Sequence, residues 1–288
     1  MAKKFHMLSS KAQKVINHYL NLPFQGVDGV RCPYFINKRL TKRGALRVLI
    51  GKGAPKEIVE EAKIISIQYH HGVFDHDGHC CIHGEHLDDK KEEAQNIRKF
   101  LIDNQLGVDC SALVTYILRA HFEETKGIDI AQKIISNIPT TFARKLIMKL
   151  RPIESIGVRS GYYNENNTLK LGDETTGYDF SKIQAGDVIV ILETGPNNTR
   201  NHIILITDCD GQKIQYIHSR AWSVEGQYGH GVNTGEIKIT YPGKGLLAQQ
   251  WLEKSQALTE DLFNQNQPNE TYLEAKNAKI LEIRRFKI

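Results

Sequence analysis

The 288-residue chain lacks several of the features that would place it quickly. No apolar run comes near the roughly 20 residues that a helix needs to cross a bilayer, so no membrane span is expected. The basic start, with Lys3 and Lys4, is not followed by an apolar stretch of about seven or more residues, so no secretory signal peptide is expected. Cysteine is sparse: five residues, an odd number without regular spacing, do not make a disulfide framework and fit a reducing compartment. A cytoplasmic location is therefore expected. No sign of charge dominates, since 38 Lys and Arg against 33 Asp and Glu leave a formal +5. That mild basic bias favours anionic partners but is too thin for a dedicated nucleic-acid binder. Neither nucleic acid nor membrane is an expected partner. The densest basic cluster, Lys38, Arg39, Lys42, Arg43 and Arg47, reads as a solvated face. Internal repeats and low-complexity tracts are missing, and 40% hydrophobic with 25% charged residues excludes a disordered chain.

What is there is a cysteine at the mouth of a helix. In Gly107-Val108-Asp109-Cys110-Ser111-Ala112-Leu113-Val114, the apolar residues that follow Cys110 recur at three- and four-residue spacing through Leu113, Val114, Ile117 and Leu118. Such a helix packs on one face and still presents its first turn. Unpaired amide donors and the positive end of the helix dipole stabilise an anion there, which predicts a thiol pKa below the free value of about 8.5.

Two histidines follow. Asn201-His202 opens the apolar run Ile203-Ile204-Leu205-Ile206, the pattern of a strand buried on both faces. The turn signal Asp208-Cys209-Asp210-Gly211 separates it from Lys213-Ile214-Gln215-Tyr216-Ile217-His218-Ser219, which alternates as an antiparallel neighbour. Nucleophilic cysteine chemistry needs a base within reach of the sulfur and a polar group that sets the base's tautomer. Cys110, His202 and His218 are the candidate catalytic residues for those roles, in that order.

These blocks resemble the NlpC group of papain-like cysteine peptidases. The likeness rests on Asp109-Cys110-Ser111, on Ala185-Gly186-Asp187-Val188-Ile189-Val190 opening a strand, and on the His202 strand followed by Ile217-His218-Ser219. Fainter echoes are Leu22-Pro23-Phe24-Gln25-Gly26 and the closing Ile280-Leu281-Glu282-Ile283-Arg284-Arg285. The chain departs from the family pattern at Ala112, where Gly is usual, and at Ile204, where a small residue is usual. The resemblance implies an α+β fold with a papain-like core, a nucleophile helix packed on an antiparallel sheet. It also implies a cysteine peptidase or amidase that needs no cofactor and acts on short peptides, such as γ-D-glutamyl-diamino-acid bonds of cell-wall muropeptides. Asp109 and Ser111 would bind a free substrate amine, and the Cys110 amide would help hold the oxyanion. The family's wall-binding repeats are missing. Two alternatives use the same residues: a binding or scaffold protein with an idle site, and a cysteine acyltransferase.

On this reading the chain is one catalytic domain, with core segments 1–26, 101–122 and 182–288. Residues 27–100 form a helical cap insertion with a His-rich loop, and 123–181 form a second insertion. Helices are expected at Ser10 to Leu20, capped by Ser9 or Ser10, at Pro55 to about Tyr69, at about Asp89 to Asp103, near Ala131 to Leu150 and at Gly245 to Leu258. Strands are expected at Gly235 to Thr240 and Ala278 to Phe286.

Between His70 and His86 lie six of the twelve histidines, with Cys80 and Cys81. His76, His79, Cys80, Cys81, His83 and His86 are zinc-compatible ligand types, but the set lacks paired Cys-x-x-Cys or His-Glu-x-x-His spacing, so a polar loop is expected and no metal is assigned. Leu46 to Gly53 before the Pro55 helix lacks Walker spacing and reads as an ordinary turn. His121 is expected to be a hydrogen-bonded core residue and Asp187 to brace its turn.

Overall fold

The apolar runs at 188–192 and 203–206 form adjacent antiparallel strands, β2 (Val188–Thr194) and β3 (Arg200–Cys209), with Val190 opposite Ile203 and Ile191 opposite His202. The computed structural model describes residues 7–36, 51–75, 77, 80, 90–135, 141–256 and 269–288. Around this pair are β1 (Thr168–Asp173), β4 (Lys213–Arg220), β5 (Gly231–Lys238), β6 (Gln250–Glu253) and β7 (Ile280–Phe286). They form a seven-stranded antiparallel sheet in the order β1-β7-β2-β3-β4-β5-β6. The class is α+β, as expected.

Both faces of the sheet are covered, which is why its central strands read as unbroken apolar runs rather than alternating ones. Val188, Val190, Leu192, Ile203, Leu205, Ile217 and Val232 belong to the core shared with helices α1 (Ser10–Leu20) and α4 (Cys110–Lys126). Their neighbours Ile189, Ile191, Ile204, Ile206, Tyr216, Ile237 and Ile283 form a second core with Phe180, Leu246, Trp251 and Ala275. Leu113, Ile117 and Leu118 of α4 are fully buried. Truncating any one of them to Ala would cost about 2–5 kcal/mol in lost transfer and cavity terms.

Caps set the helix starts. Ser9 Oγ accepts the Ala12 N–H at 3.4 Å, and Asp109 Oδ1 accepts the Ala112 N–H at 2.7 Å. α4 ends where Gly127 turns left-handed, at φ +66°. The Ser9 N–H donates to His121 Nδ1 at 3.0 Å, so His121 is hydrogen-bonded as expected, but it is half-buried rather than a core residue. Asp187 accepts from the Gln184 N–H at 2.9 Å and from Arg285, and so braces the turn before β2.

The span 27–100 is stitched into the core: Pro33 bridges Gly231, and both Tyr34 and Lys52 bridge Val108. α2 (Pro55–Gln68) and α3 (Lys90–Asp103) lie where expected. Arg98 of α3, almost fully buried, donates to the carbonyls of Arg31, Tyr228 and His230. The second span supplies β1, which pairs with β7 at the sheet edge.

Two elements differ from the sequence reading. Residues 246–253 are a 3-10 turn (Leu246–Ala248) followed by β6, not part of a helix. Leu246, Leu247 and Trp251 mimic helical spacing, but Glu174 accepts the Leu246 N–H at 2.7 Å, and Trp251 pairs with Ile237 of β5. In the other case, two short helices, Ile130–Lys133 and Phe142–Leu150, replace one long one. The first stops because Ile134 is extended. The basic cluster at 38–47, the run Leu46 to Ile50, and His76, His79, Cys81, His83 and His86 lie outside the described residues. Cys80 is described, and it is buried.

Candidate active site

Cys110 is the first residue of α4, and the loop before it is pinned from three sides. The Val108 N–H donates to the Pro33 carbonyl at 3.0 Å, the Asp109 N–H to the Gly51 carbonyl at 2.7 Å, and Ser219 Oγ of β4 to the Val108 carbonyl at 2.7 Å. Gly107 allows the close approach, because a Cβ there would sit 2.4 Å from the Pro33 carbonyl oxygen. The backbone N–H of Ile203, the residue after His202, favours a thiolate at Cys110.

The expected low thiol pKa is corrected here. Burial pushes the Cys110 thiol up to about 12, and the Asp109 carboxylate pushes in the same direction, while the Ile203 N–H and the Lys52 ammonium oppose it. Desolvation is the leading cause of the rise.

His202 and His218 meet on the sheet. Side chains alternate along strands, and Ile203, Leu205 and Ile217 point toward α4, so His202 and His218 project from the opposite face. The β3–β4 pairing ends at Leu205 opposite Ile217, before either histidine is reached. The rings bridge that opening: His202 Nε2 and His218 Nδ1 are 2.8 Å apart, with ring centroids at 5.1 Å. Burial, followed by the charge of His218, holds His202 well below the usual imidazole pKa. Among the described residues no hydrogen bond joins the Cys110 sulfur to either ring. His202 Nε2 is committed to His218, which leaves Nδ1 as its other ring nitrogen.

Glu253 completes the relay, and sequence reasoning missed it. His218 Nε2 lies 3.0 Å from Glu253 Oε1, which also accepts from Arg220 Nε and, at 2.9 Å, from Asn233 Nδ2. The Tyr216 and Thr271 hydroxyls donate to Oε2 at 3.0 and 2.9 Å. Burial pushes Glu253 up, but His218 and Arg220 outweigh it and hold the carboxyl well below the usual range. An ionised carboxylate only accepts, so a proton sits on His218 Nε2. His202 Nε2 and His218 Nδ1 share one proton, and in the tautomer where His218 Nδ1 accepts it the His202 Nδ1 lone pair is free to act as a base. The signal that would have found Glu253 is the alternation Trp251-Leu252-Glu253 in a strand, hidden by the helical spacing.

Asp109 and Ser111 are placed beside the nucleophile, but they are already occupied. The buried Lys52 Nζ lies 2.8 Å from Asp109 Oδ2, 2.9 Å from Ser111 Oγ and 2.9 Å from the Ile156 carbonyl. Ser111 Oγ also donates to Asp109 Oδ1 at 2.8 Å. Every oxygen of this group already has at least one partner within the chain. Ala112 is fully buried with its N–H on Asp109, and Ile204 packs into the second core.

Glu274, on the helix Glu270–Lys276, acts electrostatically on both Cys110 and Tyr34, and burial pushes its carboxyl up to about 7. Comparison with known proteins adds nothing to this geometry. No family model, no curated protein and no solved structure matches the chain. Among the described residues, no group of three or more His, Cys, Asp or Glu is arranged to hold a metal ion, and no helix is long and apolar enough to cross a membrane.

Proposed function

We propose that the chain is a cysteine amidohydrolase on a papain-like core of the NlpC type, acting on short peptides. The observation that carries this reading is the buried relay His202–His218–Glu253, whose His202 directly precedes Ile203, the residue whose backbone N–H favours a thiolate at Cys110. Three ionisable groups kept in line inside a sheet cost desolvation, and a purely structural role would be filled more cheaply by apolar residues.

Thiol and imidazole are both neutral at rest. Attack of the Cys110 sulfur on the scissile carbonyl carbon is coupled to transfer of its proton to His202 Nδ1. His218 and the Glu253 carboxylate stabilise the imidazolium that forms. The N–H of Cys110, in the first helical turn and without a hydrogen-bond partner among the described residues, takes the developing oxyanion. His202 then returns the proton to the leaving amine, and water resolves the acyl-enzyme to acid and free thiol. The resemblance points to cell-wall-derived γ-D-glutamyl-diamino-acid bonds as the substrate class, and a cytoplasmic location belongs to the same reading.

The test is mass-spectrometric readout of purified muropeptides and a peptide library incubated with wild type, Cys110→Ala, His202→Ala and His218→Ala. Turnover by wild type and its loss in folded variants is expected; wild-type rates in Cys110→Ala end the reading. The depth of the thiol favours one competing account, a binding protein with an idle site. Uniform slow iodoacetamide labelling of Cys110 and the other cysteines would favour that account.

A further inference from the structure

An ammonium already sits beside the nucleophile, and it belongs to the chain itself. Lys52 Nζ has three protons to give and meets a carboxylate, a hydroxyl and a carbonyl at 2.8 to 2.9 Å. These three acceptors come from the cap of α4, its second residue and the loop at Ile156, so the cradle is built from separate parts of the fold. It is buried, with the Lys52 side chain 1% and the Asp109 side chain 10% exposed. Its charge acts on the nucleophile: the Asp109 carboxylate disfavours a Cys110 thiolate and the Lys52 ammonium favours one.

We propose that Lys52 permanently fills the cation cradle next to Cys110, so that the site takes acyl groups with no positive charge beside the scissile carbonyl. The substrate class is then N-acylated or internal peptide bonds, not free amino termini. This rests on Cys110 being the nucleophile. A second ammonium would meet a carboxylate whose charge Lys52 already pairs, and would lie against a like charge. Lys52 is in addition a positioning residue, because without it the Asp109 charge falls on the thiol uncompensated.

The experiment uses wild type and Lys52→Ala, which leaves an ammonium-sized vacancy. Iodoacetamide labelling of Cys110 is followed by peptide mass spectrometry while ethylammonium chloride is titrated against equal sodium chloride. Slower labelling in folded Lys52→Ala, restored saturably by ethylammonium alone and unaffected in wild type, is expected. No restoration in the folded variant overturns the proposal. In parallel, one peptide is offered with a free and with an acetylated amino end. Wild type is expected to prefer the acetylated form by about tenfold or more, the factor that one unpaired buried charge commands. Equal rates overturn the proposal while leaving the hydrolase reading intact. If wild type cleaves neither peptide, the hydrolase reading fails and the ethylammonium titration alone decides this one. Should Lys52→Ala not fold, the Lys52→Met/Asp109→Asn double variant, which removes both charges, takes its place. Loss of the acetyl preference in it is expected, and an undiminished preference overturns the proposal.

Discussion

Glu253→Gln separates charge from geometry in the relay. Donors from His218, Arg220 and Asn233 converge on Oε1, so the glutamine carbonyl is held on that side and the His218 tautomer is kept. The new amide then faces the Tyr216 and Thr271 hydroxyls, both of which can accept. Only the negative charge is lost. An imidazolium on His202 sits one ring, 5.1 Å between centroids, beyond a histidine whose far nitrogen is 3.0 Å from the carboxylate. At a separation of roughly 8 Å and an effective dielectric of about 20, the interaction is about 2 kcal/mol, or about 30-fold in rate. The variant is expected to label with iodoacetamide at Cys110 about 30-fold more slowly than wild type at neutral pH, with turnover falling in parallel. Arg220 keeps its ion pair with Glu225, so the stability loss should stay near 1–3 kcal/mol, the range for a charged hydrogen bond made neutral. Labelling within threefold of wild type in a variant that melts cooperatively would refute the claim that the carboxylate is felt at the thiol.

Two further outcomes follow from the same packing. His202 is held below its unfolded pKa, so the unfolded chain binds more protons below about pH 6.5 and stability falls as pH drops through that value, by up to about 1.4 kcal/mol per pH unit. Between pH 6.5 and 5 the melting temperature of His202→Gln should fall less steeply than that of wild type; parallel curves would contradict the assignment. Gly235→Ala would place a Cβ 2.2 Å from the Tyr216 ring and hydroxyl, which must move away from Glu253. A loss of about 1–3 kcal/mol in urea melts is expected, with slower Cys110 labelling, whereas a neutral result would show that the ring shifts freely.

The parts of the molecule written in local periodicity were legible. α1 runs over Ser10–Leu20 as read, the His202 hairpin is antiparallel, and the Cys110 helix starts at Cys110. The partners that set the chemistry were not, because they arrive from distant segments. Lys52 reaches Asp109 across 57 positions and Glu253 reaches His218 across 35. Neither separation leaves a motif. The charge state of the thiol was misjudged for a related reason: a helix terminus is visible in sequence, whereas the desolvation that raises the thiol depends on everything packed around Cys110.

Ser219 and His218 are neighbours on β4 with opposite tasks: one holds the loop that carries the sulfur and the other passes charge toward Glu253. A strand sends adjacent side chains to opposite sides, so the backbone fixes which side of the sheet each task falls on. Opening this segment would dismantle both at once, and amide exchange at 108–110 and 217–220 should report a single cooperative event.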